Sequence, residues 1–95
     1  MKPRYAATLA LVGWYLLVPP SRPNYEVDQS APLSRWAQDA SFDTASECEH
    51  NRQEMIESLA SHKVKNMSVE MQNGNARIYA LSRCIATDDP RLNSN

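Results

Sequence analysis

An uncharged apolar run from Ala6 to Val18, preceded by Lys2 and Arg4 and stopped by Pro19-Pro20, constrains this chain more than any other feature. As a helix its 13 residues span about 20 Å, short of the roughly 30 Å of a bilayer's hydrocarbon core. A basic start followed by an apolar stretch of this length has the form of an export signal. Val18, Pro19, Pro20 and Ser21 do not make a small-x-small cleavage site. The segment 1–18 is therefore read either as a signal peptide or as a single-span membrane anchor, with Tyr5 lengthening it and Trp14 and Tyr15 suited to an interface. In both readings Lys2 and Arg4 stay in the cytoplasm and the polar remainder crosses the membrane. A buried helix of a soluble domain is disfavoured, because the rest of the chain is too small to surround it. No Cys lies near the end of the run, which excludes a lipoprotein attachment.

Composition separates the two parts. The first 23 residues carry Lys2, Arg4 and Arg22 and no acid, whereas the rest carries seven Lys or Arg against all eleven Asp or Glu, a net charge of −4. The basic residues stand singly among acids, so nucleic acid is not an expected partner. With 95 residues in all, the chain has room for one small domain and no two-domain enzyme. Residues 19–33 are rich in Pro and lack apolar periodicity, and they read as an extended linker. The exported domain is then 34–92.

Within that domain Trp36, Gln38, Ala40 and Phe42 share one parity, which fits a short strand. Thr44-Ala45-Ser46-Glu47 has the form of a capping box, so a helix should begin there. Ala45, Cys48, Met55, Ile56, Leu59 and Ala60 make an apolar stripe interrupted only by Arg52, whose stem can cover apolar surface. Lys63 and Lys65 suit the negative end of the helix dipole, which places the helix at about 44–65. Met67, Val69 and Met71 fit a brief strand or a loop, and Asn73-Gly74-Asn75 reads as a turn. The stretch from Ala76 to Arg83 is compatible with a short helix or a strand, Cys84 to Thr87 looks more like strand, and Asp88-Asp89-Pro90 ends it. The fold class is thus small α+β: an N-terminal hydrophobic helix, a linker, one main helix and one to three short strands.

An exported chain with two cysteines pairs them, so a Cys48–Cys84 disulfide is expected. Closing 36 positions of chain, it is worth about 3 to 4 kcal/mol on a loop-entropy estimate, comparable to what so small a core provides. Two sharper readings compete. Cys48 in the first turns of a helix could be a reactive thiolate, although Glu47 and Glu49 beside it oppose one. Cys48, His50, His62 and Cys84 could hold zinc, although their spacing is wrong for it. Asp88 and Asp89 could act as paired acids or bind a metal, but adjacent acids before Pro usually shape a turn. Asn66-Met67-Ser68 matches a glycosylation sequon that matters only in a eukaryotic secretory route. No glycine-rich phosphate loop exists, and no base, nucleophile and orienting acid can be picked out. No catalytic residue, cofactor or metal is therefore assigned.

The residues Ser41-Phe42-Asp43-Thr44-Ala45-x-x-Cys48-Glu49 and Cys84-Ile85-Ala86-Thr87-Asp88-Asp89-Pro90-Arg91-Leu92, behind Gly13-Trp14-Tyr15-Leu16-Leu17 and a Pro-rich link, resemble those of short exported bacterial proteins. The resemblance covers about a third of the chain. It implies a bacterial source and transfers no function and no site residue. The expectation is a small envelope protein, periplasmic or anchored in the inner membrane, acting as a structural or interaction module on an unidentified protein partner. Two alternatives remain open: a thiol- or metal-dependent activity at Cys48 or Asp88/Asp89, and a single-span membrane peptide that docks on a larger membrane complex.

Overall fold

The computed structural model describes residues 12–93. Three strands and two helices follow in the order β1 (Trp14–Val18), β2 (Ala37–Phe42), α1 (Ala45–Ala60), α2 (Val69–Ala80) and β3 (Arg83–Ala86), with 3-10 turns at Leu33–Arg35 and Pro90–Asn93. The strands form one antiparallel sheet in the order β2-β1-β3. The end of the apolar run is thus not helical as expected: Trp14–Val18 is the central strand. The part of the expected N-terminal helix before Val12 lies outside the described residues.

The physical reason lies in how the sheet is covered. Residues opposite one another on antiparallel strands share a face. Leu16 stands opposite Cys84, and Cys84 is bonded to Cys48 of α1, so Leu16 faces the helices. Tyr15 stands opposite Ile85, and Leu17, Ile85, Leu33 and Trp36 form a core on the other face, against which Tyr15, Ala31 and Leu92 pack. A strand covered on both sides needs apolar residues at both parities. Leu16 and Leu17 are accordingly 0% and 1% exposed. Such a strand loses the period-2 signature and looks like a stretch of signal or membrane sequence.

The segment read as a linker belongs to this second layer. It joins β1 to β2, two paired strands of one sheet, and is folded on itself: Ser21 bridges to Val27, Asp28 N–H donates to Pro20 O at 2.9 Å, and Trp36 Nε1–H donates to Ala31 O at 2.9 Å. Four prolines within 19–32 lower the entropy of the unfolded segment as readily as they stiffen a tether.

Helix α1 starts where the capping box predicts, with Thr44 Oγ1 accepting from Glu47 N–H at 3.0 Å and Glu47 Oε1 accepting from Thr44 N–H at 3.2 Å. It ends at Ala60, earlier than the 65 expected, because the chain turns through a left-handed His62 (φ 57°). A second helix, α2, then occupies the stretch read as strand or loop and turn and continues to Ala80, into the stretch from Ala76 that is compatible with a short helix or a strand. Ser68 Oγ caps it by accepting from Met71 N–H at 3.1 Å. Asn73-Gly74-Asn75 lies in its middle, and Gly74 is there for packing: a Cβ on it would come within 2.5 to 2.7 Å of the Tyr25 ring. Strand β3 then falls at Arg83–Ala86, overlapping Cys84–Thr87, the stretch that looks more like strand.

Candidate functional site

Chemistry-bearing side chains concentrate where α1 meets β3. Cys48 lies in the first turns of α1 and is fully buried; its sulfur is bonded to that of Cys84 in β3, with Cα atoms 6.1 Å apart. One helical turn later, Arg52 lies on the same face of α1 as Cys48. Its Nε–H donates to both Ser82 O and Ser82 Oγ at 3.0 Å, and its Nη2 donates to Ala80 O at 2.7 Å. Arg52 also pairs with Glu49 at 3.6 Å. The carbonyls it reaches lie at the C-terminal end of α2, where helix acceptors lack intrahelical partners and cations are favoured. The disulfide and the guanidinium thus clamp the α2–β3 junction to α1 from adjacent turns.

Sequence reasoning found the cysteine pair and missed the arginine. The signal was present: a cation inside an apolar stripe, four residues from a cysteine. Its target could not be read, because the stretch that ends α2 stays open between helix and strand.

The competing sites are not assembled. Both sulfurs are committed to each other, and the described residues contain no free cysteine. His50 pairs with Glu54 at 3.3 Å on the exposed face of α1, while His62 lies at the far end of that helix, its Nε2 2.7 Å from Asn73 Oδ1. Among the described residues no three His, Cys, Asp or Glu side chains converge as metal ligands would. Of Asp88 and Asp89, the second is committed to Arg91. Asp89 accepts from Arg91 Nε–H at 3.0 Å, Arg91 Nη2 at 2.7 Å and Arg91 N–H at 2.9 Å, and these bonds to the guanidinium hold its carboxyl down at about 2. A carboxylate so committed shapes its turn and makes a poor proton acceptor.

One further polar pair crosses the fold. A bulge in the β1–β2 pairing, between Leu16 and Leu17, leaves Asp39 as the extra residue of β2. Bulges re-aim side chains, and here Asp39 accepts from Tyr79 O–H, near the end of α2, at 2.9 Å. Burial first, then the hydrogen bond to Asp39 and its charge, push the Tyr79 phenol up to about 12.

Among the described residues no helix is long and apolar enough to cross a membrane. Comparisons of the chain with protein-family models, with curated proteins and with solved structures find no match. The arrangement is thus read from its own chemistry: a cross-link and a cation bridge that fix geometry.

Proposed function

We propose that the chain is a small disulfide-stapled structural or interaction module, not a catalyst, that works in an oxidising compartment after export. The observation that carries this reading is the Cys48–Cys84 bond, which ties the sheet to the first turns of α1. A covalent bond of this kind persists outside the reducing cytosol. Arg52, Asp89 and Tyr79 support the reading as well, since each is engaged in hydrogen bonds that hold backbone or elements in place. The fold adds a condition to export. Any processing that removes Trp14–Val18 also removes the middle strand of the sheet, so the working molecule begins at or before Gly13, whose carbonyl accepts from Thr87 N–H at 2.9 Å.

The test is intact mass and N-terminal sequencing of the protein recovered from its native cell, alkylated before lysis. The expected product is unmodified by the alkylating reagent, about two mass units lighter than its reduced form, and retains Trp14. Two free, rapidly alkylated thiols on cytosolic protein would overturn the proposal.

A further inference from the structure

The end of the α1–α2 hairpin differs from the rest of the surface in two independent ways. The two large apolar side chains exposed among the described residues, Val69 (54%) and Met71 (44%), are both there. So are both lysines of the described residues, Lys63 and Lys65, in a domain otherwise rich in acid. Glu70 is the one acid between residues 62 and 71. Helix α1, 16 residues long and hence about 24 Å, carries this tip away from the disulfide at its opposite end.

The tip has a fixed shape. Gln72, only 3% exposed, laces the connection: its Oε1 accepts from Val64 N–H at 2.9 Å and its Nε2 donates to Met67 O at 2.9 Å. Lys63 N–H donates to Ser58 O at 2.9 Å, and Ser68 Oγ caps α2. His62 and Asn66 take left-handed backbone (φ 57° and 64°) to close the turn. Left-handed backbone costs energy for residues other than Gly, so the connection is held in one conformation by its own bonds. Val69 and Met71 stay exposed on the tip.

We propose that this tip, Lys63, Lys65, Val69 and Met71, docks peripherally on an anionic lipid surface. Two exposed apolar side chains make only a small apolar centre for a specific protein contact, which involves some 20 to 30 residues a side, polar rim included. They fit better at a lipid interface, which takes up apolar groups shallowly and adds the attraction of cations on flexible stems. Lysines near an anionic leaflet each add to the attraction, which salt weakens. Lys63 and Lys65 form no ion pair among the described residues, although Lys63 shares a shallow depression with Glu54 and Glu57. The proposal goes beyond the module reading and does not depend on it.

The test is flotation of the full oxidised chain with vesicles of phosphatidylcholine and phosphatidylglycerol, against phosphatidylcholine alone and against raised salt. The wild type should float with the anionic vesicles only, and salt should release it. Lys63→Glu with Lys65→Glu, and separately Val69→Ser with Met71→Ser, should each lower the bound fraction at least about tenfold. Each variant should keep the wild-type melting temperature, because exposed positions tolerate substitution. All of these variants retain the basic and apolar N-terminus, so binding carried by that segment would leave them floating and would overturn the proposal. A wild type that stays with the soluble fraction would overturn it too. So would self-association without lipid that the Val69/Met71 variant abolishes, which would make the tip a contact between copies.

Discussion

Tyr25 and Gly74 each contradict a local rule, and they do so at one contact. Gly in a helix interior costs about 1 kcal/mol relative to Ala, and an aromatic residue at φ 67° is held in a conformation that costs roughly 1–2 kcal/mol. The Tyr25 ring sits where a Cβ on Gly74 would be. Gly74→Ala alone should therefore destabilise the protein by about 1–2 kcal/mol, the cost of overpacking exceeding the gain in helix propensity. In a Tyr25→Gly background the same change should stabilise by about 1 kcal/mol, and a urea-denaturation cycle reads both. Tyr79 gives a second prediction. Its phenol is raised from 10.0 to about 12 in the folded chain, so its neutral form is favoured by folding. That contribution is complete below pH 10 and is lost as pH rises through about 12. Ultraviolet titration should show Tyr79 ionising late. Tyr79→Phe should remove that late step and cost about 1 kcal/mol at neutral pH through the lost bond to Asp39.

At the scale of elements, what could be read in advance was what local chemistry specifies. The start of α1 was legible because a capping box is a four-residue signal, and the disulfide because two cysteines allow one pairing. β2 and β3 were legible in outline from parity and from the β-branched and apolar stretch at Cys84-Ile85-Ala86-Thr87. The first turns of α2 were missed, and the helical reading from Ala76 stayed undecided, for a tertiary reason: Asn73-Gly74-Asn75 has the composition of a turn, and only Tyr25, some fifty positions away, makes a mid-helix glycine favourable. β1 was missed because being central erased its alternation. The end of α1 was misplaced because His62 and Asn66 adopt left-handed backbone without the glycine that usually announces it. Arg52 was taken for a stem covering apolar surface, and it does lie half-buried, but its hydrogen bonds end at Ala80 and Ser82, in a stretch that stays open between helix and strand.

On the scale of the whole molecule, the sheet depends on a strand drawn from the first fifth of the chain. β1 is the only described strand that pairs with two others, so its loss leaves β2 and β3 with no common neighbour. A chain beginning at residue 12 should fold cooperatively with the disulfide formed, whereas one beginning at residue 19 should give neither a cooperative melt nor dispersed amide resonances. A residue-19 chain that melts like the longer one would show the sheet to be dispensable. The covalent link has a separate consequence. Both the α1–α2 connection and α2 itself lie inside the ring closed by Cys48 and Cys84. A protease that nicks the hairpin between Ser61 and Ser68 would cut the backbone without parting the molecule. The two pieces stay tethered until a reductant opens the ring, so damage at this turn is stored, not shed.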